Sequence, residues 1–252
     1  MSTYDSIAPY YDVDMARNMP FDDVGFYANL GAEAHGPVLE LGCGNGRILL
    51  PLLRRGIDAT GVDASPGMLA ELRRKAAALG LPAPVTQMDI RELALGRRFA
   101  LVLCPYSLVT YCLEDDDLRR LFAGVRAHLA PGGRFVVDAF VPRAPSPEDA
   151  EFRLDYRRPY GDTVLTRWRR LRPESARVNR IERRYEVTEA DGSVRERIDV
   201  EELVRPFDPS ALREVVVAAG FVAEREWWDY GTRTTSEGAR FFTLEASLPD
   251  LS

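Results

Sequence analysis

Apolar residues fall along this chain in two rhythms. Up to about residue 140, short runs rich in Val, Leu and Ile alternate with longer stretches in which apolar residues recur every three or four positions. The short runs read as strands buried on both faces and the longer pattern as amphipathic helices, which together specify a parallel sheet flanked by helices. Strands are predicted over residues 38–41, 57–62, 85–88, 99–104 and 134–140. Helices are predicted after the first strand, where Ile48, Leu49, Leu52 and Leu53 share a face, from Pro66 to about residue 79 behind the N-cap Ser65, and over 114–129. Pro131-Gly132-Gly133 is expected to stop the last of these.

Beyond the proline-rich stretch Pro142-Arg143-Ala144-Pro145-Ser146-Pro147 the rhythm changes to alternation of apolar and polar residues over 163–171, 177–188 and 194–205. Period two predicts strands, and Ala190-Asp191-Gly192-Ser193 is a hairpin turn signal, so a three-stranded antiparallel insertion is expected. The α/β rhythm then resumes with a helix over 209–219, Gly220 as its stop, and strands near 221–228 and 240–247. The expected fold is α/β: a seven-stranded, mostly parallel sheet with flanking helices and an antiparallel β segment inserted after the fifth strand. The domain reading is an N-terminal lid or helical segment over 1–36, the main α/β domain over 37–141 and 206–252, and the insertion over 142–205.

Composition narrows the class. With 252 residues, 46% of them hydrophobic, the chain has the material for an ordinary globular core, which excludes disorder and collagen-like structure. Three cysteines cannot make a disulfide framework, so a reducing, cytoplasmic location is expected. No window approaches the ~18 consecutive apolar residues of a membrane span, and the opening Met1-Ser2-Thr3-Tyr4-Asp5 lacks the basic and apolar regions of a secretion signal. His35 and His128 stand apart from any cysteine, so no metal site is expected. Lysine plus arginine number 33 against 39 acids, a net charge of −6 that disfavours nucleic acid as a partner. One local exception is the run from Arg167 to Arg184, rich in arginine and holding Glu174 and Glu182.

Chemistry concentrates at the predicted strand ends. Val38-Leu39-Glu40-Leu41 leads into Gly42-Cys43-Gly44-Asn45-Gly46-Arg47, a strand ending in an acid and then a Gly-x-Gly-x-Gly turn opening a helix. Glycines there let the chain turn sharply and let a ligand approach the main chain. A dinucleotide fingerprint would place glycine or alanine where Arg47 stands, and Glu40 would repel a pyrophosphate while attracting an ammonium group. Asp63 ends the second strand and suits the two hydroxyls of a ribose. Asp89 ends the third beside Ile90, offering a carboxylate to the amino group of an adenine and an apolar surface to its ring. Read alone, Asp63 and Asp89 are each also good capping residues.

These motifs together, with 99–106 and Leu129-Ala130-Pro131-Gly132-Gly133-Arg134, resemble the class I, Rossmann-like S-adenosylmethionine-dependent methyltransferases of small-molecule type, over about residues 1–140 and 208–248. The resemblance implies a cofactor site of Glu40, Gly42, Gly44, Gly46, Asp63, Ala64, Met68, Asp89, Ile90 and Cys104, with S-adenosylmethionine as cofactor and S-adenosylhomocysteine as product. It implies a bacterial enzyme of secondary metabolism that methylates nitrogen, with oxygen as the alternative, on a small-molecule acceptor, working as a monomer or homodimer. Tyr11 in the N-terminal segment, and Tyr106 and Tyr111 after the fourth strand, are the catalytic candidates. Asp138 is a further acceptor-side candidate.

Cys104-Pro105-Tyr106-Ser107 departs from the Asn/Asp-Pro-Pro-Tyr tetrad of DNA and protein-glutamine methylating relatives, which argues against those substrates. The insertion resembles the substrate lid of small-amine methyltransferases, and Trp168 and Arg170 within it, with Trp228 and Tyr230 closing the strand near 221–228, are the substrate-binding candidates. A guanidinium facing the pocket would hold a carboxylate or phosphate in a two-pronged bond. The competing readings are a nucleic-acid or protein methyltransferase, which needs an exposed basic groove, and a non-catalytic cofactor-binding protein of the same fold.

Overall fold

A computed structural model describes residues 3–143 and 146–249. Met1, Ser2, residues 250–252, and Ala144 and Pro145 of the linker stretch lie outside the described residues. In chain order the elements are α1 (Thr3–Ile7), α2 (Tyr11–Asn18), α3 (Asp23–Glu33), β1 (Val38–Leu41), α4 (Leu49–Arg54), β2 (Ala59–Asp63), α5 (Pro66–Ala78), β3 (Val85–Gln87), β4 (Phe99–Cys104), α6 (Asp115–His128) and β5 (Leu129–Phe140). They continue with β6 (Arg153–Tyr160), β7 (Thr163–Pro173), β8 (Asn179–Thr188), β9 (Val194–Val204), α7 (Pro209–Ala218), β10 (Val222–Trp228) and β11 (Phe241–Ser247).

The chain forms two compact units, residues 21–142 with 207–252, and residues 1–20 with 143–206. The segment expected over 1–36 is thus divided between them. In the larger unit seven strands lie in the order β10-β11-β5-β4-β1-β2-β3. Strands β1 to β5 pair in parallel, and β11 runs antiparallel between β5 and β10. The apolar runs are continuous because central strands are covered on both faces: every residue of β1 is buried, and Leu101, Val102, Leu103 and Cys104 of β4 are fully so. Leu118, Leu121, Phe122 and Val125 of α6 and Leu212 and Val216 of α7 join Leu39, Val102, Phe135, Val137 and Leu244 in one core.

Helix ends follow local chemistry. Ser65 caps α5 by accepting from the Met68 N–H at 3.1 Å, with Pro66 next to it. Three acids fill the first turn of α6 and Arg126 and His128 its last, matching the helix dipole. The helix ends at His128, before Pro131-Gly132-Gly133; the chain enters β5 directly at Leu129, and those three residues form an irregularity in the β4–β5 pairing.

The smaller unit holds an antiparallel sheet in the order β6-β7-β8-β9, one strand more than the periodicity predicts. The missed strand is β6. Its sequence Arg-Leu-Asp-Tyr-Arg-Arg-Pro-Tyr buries only Tyr156 and contains Pro159, which an edge strand tolerates and a central one does not. Helix α2 is fixed to this sheet by Asp14, which is buried and accepts from the hydroxyls of Tyr156 and Tyr185, the latter at 2.7 Å. Arg167 lies 3.0 Å from the same carboxylate.

Candidate functional site

The carboxyl ends of β1, β2 and β3 carry the acids expected there, and the structure gives each a different environment. Glu40 sits on β1 opposite Gly61 of β2 and Leu103 of β4 and is buried. Its Oε2 has no hydrogen-bond partner among the described residues. Burial pushes its pKa well above the carboxylate range, and the nearby Arg47 guanidinium only partly offsets this. An unsatisfied buried carboxyl costs free energy, so its presence at the mouth of a glycine turn marks a place where a ligand cation or donor would be stabilising.

Gly42, Gly44 and Gly46 all have positive φ, at 62°, 51° and 88°, which explains glycine at each alternate position. A Cβ on Gly44 would stand 3.0 Å from Met68 Cε, so the loop also lies tight on α5. Asp63 fastens it: its Oδ2 accepts from the Gly44 N–H and its Oδ1 from the Ser65 N–H, each at 2.8 Å. Asp63 therefore caps and orders the cradle, while standing at the strand end where a ribose is expected. Ala64 accepts from the Gln87 side chain at 3.3 Å through its carbonyl, and Met88 N–H donates to the Asp63 carbonyl at 2.9 Å, which ties β3 to the same corner.

Asp89 follows β3 and caps the short turn Ile90–Glu92, accepting from the Arg91 N–H at 2.9 Å. The Arg91 guanidinium also bonds it, at 2.9 and 2.5 Å, and holds its carboxyl below the usual range. Ile90 packs at the edge of the core. Cys104 ends β4 fully buried, and burial pushes its thiol up, which disfavours the thiolate a nucleophile needs.

Past β4 the backbone is strained. Tyr106 and Ser107 both adopt left-handed conformations, with φ of 55° and 57°, and Asp229 and Tyr230 after β10 do so as well, at 47° and 58°. Such conformations cost about 1–3 kcal/mol each and persist where the surroundings over-determine them. Here the fastener is Asp138 of β5, fully buried. Its Oδ1 accepts from the Ser107 N–H at 2.6 Å, and its Oδ2 from the hydroxyls of Tyr27 at 2.5 Å and Tyr230 at 2.9 Å. Burial raises its pKa against the opposing pull of those bonds. The Tyr106 ring lies 5.4 Å from that of Phe140 and 6.2 Å from that of Phe241, with the Arg47 guanidinium 5.5 Å from its centre. Arg47 pairs with Asp23 at 2.7 Å.

The structure thus brings Tyr106 and Tyr230 into one aromatic and acidic neighbourhood, with Tyr111 half-buried on the turn Leu108–Tyr111. Trp228 packs instead on Phe242, 4.9 Å between rings, at the edge of the core. Its neighbour Trp227 is the one that meets Phe26, at 5.2 Å, and Phe26 in turn meets Tyr230. Tyr27, Asp23 and Phe241 carry no sequence signal of their own. Arg47 does, as the residue that breaks the dinucleotide fingerprint.

In the smaller unit Tyr11 opens α2 with its ring edge-on to Tyr4 at 6.1 Å. Trp168 is half-buried on β7. Arg170 forks onto Glu182 at 2.7 and 2.8 Å and lies 4.4 Å from the Phe152 ring centre. Much of the arginine run is matched by acids of the same sheet and its β7–β8 loop: Arg172 with Glu182, Arg180 with Glu174 and Glu201, Arg183 with Glu202, and Arg184 with Asp199. Among the described residues no group of three or more His, Cys, Asp or Glu is placed to hold a metal, and no helix is long and apolar enough to cross a membrane.

Known proteins share parts of this sequence and this fold. A family model described as a methyltransferase domain matches residues 38–133. The dTDP-3-amino-3,4,6-trideoxy-alpha-D-glucopyranose N,N-dimethyltransferase of Streptomyces venezuelae is 30% identical over 74% of this chain and 76% of its own length. A putative methyltransferase of Geobacillus is 28% identical over 54% of this chain, which spans only 57% of that relative. A solved S-adenosylmethionine-dependent methyltransferase from Clostridium acetobutylicum superimposes with a TM-score of 0.79, covering 98% of this chain and 99% of that one at 19% identity, a likeness of fold.

Proposed function

The chain belongs to the class I, Rossmann-like S-adenosylmethionine-dependent methyltransferases, and on that premise we propose that it methylates a nitrogen of a small molecule in bacterial secondary metabolism. The observation that carries the reading is the corner made by Glu40, the glycine turn and Asp63. A buried acid with one oxygen unsatisfied, beside a glycine cradle ordered by a second acid, fits a ligand with an ammonium group at one end and a ribose at the other.

Glu40 would hold the ammonium group, Gly42, Gly44 and Gly46 the methionine part, and Asp63 the ribose hydroxyls. Asp89, kept ionised by Arg91, suits the amino group of the adenine, with Ala64, Met68, Ile90 and Cys104 lining the site. When bound, S-adenosylmethionine supplies a methyl group on a sulfonium that is already activated for displacement. What remains for the chain is to align an acceptor lone pair and exclude water.

An acceptor amine must present an uncharged nitrogen, and a phenol beside it can orient the lone pair and take a hydrogen bond from it. Tyr106 is the foremost candidate, because its left-handed backbone is held by the Ser107 to Asp138 bond and its ring is walled by Phe140 and Phe241. Tyr111 and Tyr230 belong to the same unit; Tyr11, Trp168, Arg170 and Trp228 stand as candidates on the resemblance. The S. venezuelae relative is named for N,N-dimethylation of a nucleotide-linked amino sugar, which makes such amines the first acceptors to try. The buried thiols of Cys43, Cys104 and Cys112 support a reducing cytoplasmic setting, and a monomer or homodimer is the working form.

The test is transfer of a labelled methyl group from S-adenosylmethionine to a panel of small amines, nucleotide-linked amino sugars included, run beside DNA, RNA and protein. Label on the nitrogen of a small amine is the expected result. Label confined to a macromolecule would refute the reading.

A further inference from the structure

The residues that follow β3 lie along helix α6 and are fastened to it at both ends. Near the start of the helix, Nη1 of Arg91 donates to the buried Asp117 at 3.1 Å. Asp117 is itself fixed, accepting from the Glu114 N–H at 3.3 Å in the helix cap and from Arg120 at 3.2 Å. In the last turn, Nε2 of His128 accepts from the Leu95 N–H at 2.9 Å, while Nδ1 donates to the Gly124 carbonyl at 2.7 Å. Between these two ties Leu93 lies so close to Gly124 that a Cβ there would stand 3.0 Å from the Leu93 side chain. The turn that carries Asp89 and Ile90 is therefore seated on a regular helix, which fixes its geometry.

From that seat Arg91 grips Asp89. Its backbone N–H and its Nε both donate to Oδ1 at 2.9 Å, and its Nη2 donates to Oδ2 at 2.5 Å. An ionised carboxylate has about four acceptor positions, two on each oxygen. Among the described residues Oδ1 is thus filled, and Oδ2 keeps one position open. The bonds from Arg91 also hold this carboxyl below the usual range, so it accepts and does not donate.

We propose that Arg91, braced by Asp117, is the positioning residue that makes the purine end of the cofactor site selective for a 6-amino group over a 6-oxo group. The inference rests on the reading of Asp89 as the adenine acceptor and names what sets its selectivity. One open acceptor position matches one hydrogen of an exocyclic amino group. A 6-oxo purine presents an oxygen lone pair there instead, and its nearest donor is the ring N1–H. A carboxylate free to swing could follow that donor, whereas one held at three points cannot. A site built around a fixed hydrogen bond rejects the analogue that lacks the group to make it. Arg91 acts through Asp89 and through no contact of its own with the reacting atoms.

Calorimetric titration of the full chain with S-adenosylhomocysteine, and separately with S-inosylhomocysteine, in which an oxo group replaces the 6-amino group, tests this. The parent is expected to bind the amino form tighter by about tenfold or more. Arg91→Gln should narrow that ratio to within about threefold, and Arg91→Lys, which keeps the charge without the fork, should recover little of it. A residue with only a structural role would weaken both ligands alike and leave the ratio where it was. Asp117→Asn removes the brace, should narrow the ratio in the same direction, and carries the test should Arg91→Gln fail to fold. Arg119→Gln takes the same charge from an exposed arginine paired with Asp116 on α6 and should leave the ratio within about twofold. Binding of neither ligand by the parent would overturn the cofactor reading and this inference with it. Binding of both with equal affinity, or a ratio unchanged by Arg91→Gln and Asp117→Asn, would overturn the inference alone.

Discussion

Tyr27 donates its hydroxyl to Asp138 at 2.5 Å across 111 residues of sequence, and so fixes α3 against the end of β5. Tyr230 reaches the same oxygen from the far side of the chain, and Ser107 holds the other. One buried carboxylate thereby ties together three elements around the Tyr106 turn.

Because Tyr27 and Tyr230 bond one oxygen, their contributions are coupled. Tyr27→Phe and Tyr230→Phe should each cost about 1–2 kcal/mol, since either leaves Oδ2 one donor. Tyr27→Phe with Tyr230→Phe strips that oxygen of both, so the pair should cost more than the sum by about 0.5 kcal/mol or more. Urea denaturation of the four proteins measures this cycle, and strict additivity would contradict it.

Glu40 gives a pH-dependent prediction whose sign is opposite to the usual carboxylate case. Its folded pKa is raised by burial, so the folded state binds that proton more tightly than the unfolded state does. Its contribution to stability is therefore greatest below the unfolded value of about 4.3, and falls as pH rises from there toward the raised folded value. Glu40→Gln lacks this loss. Thermal unfolding of cofactor-free protein between about pH 4 and 8 should show the variant gaining on the parent as pH rises, while its affinity for S-adenosylmethionine drops. A stability difference that does not change with pH would count against the environment described for Glu40.

Asp14 predicts the strength of the α2 attachment. Asp14→Ala removes the acceptor of two buried tyrosine hydroxyls and one of the two acids that hold the buried Arg167, which should cost about 3–5 kcal/mol. Asp14→Leu combined with Arg167→Met should recover part of that loss, because it removes the stranded charge as well. Chemical denaturation decides; a loss under about 1 kcal/mol for Asp14→Ala would mean the cluster is solvated rather than buried.

Local chemistry made much of this molecule legible from its residues alone. The β4 strand is where its apolar run predicts, Ser65 and Pro66 start α5, and the acids Glu40, Asp63 and Asp89 stand at successive strand ends because strand-to-helix turns follow them directly. What escaped depends on contacts distant in sequence. Nothing near Asp138 announces Tyr27, and nothing in Arg170 announces Glu182, which lies opposite it only in the β7–β8 register. That register is set beyond a loop longer than the two-residue turns whose geometry can be read from sequence. The alternation that suggested a pocket-facing Arg170 is real, but the cross-strand acid claims the guanidinium first.

The cofactor corner is the centre of the account, and calorimetric titration with S-adenosylhomocysteine, on protein freed of carried-over ligand, tests it most directly. The parent should bind, and Asp63→Ala, which removes both the ribose acceptor and the cap on Gly44, should weaken binding by about 1–3 kcal/mol or more. Absence of binding by the folded parent, or undiminished binding by Asp63→Ala, would contradict the assignment of that corner.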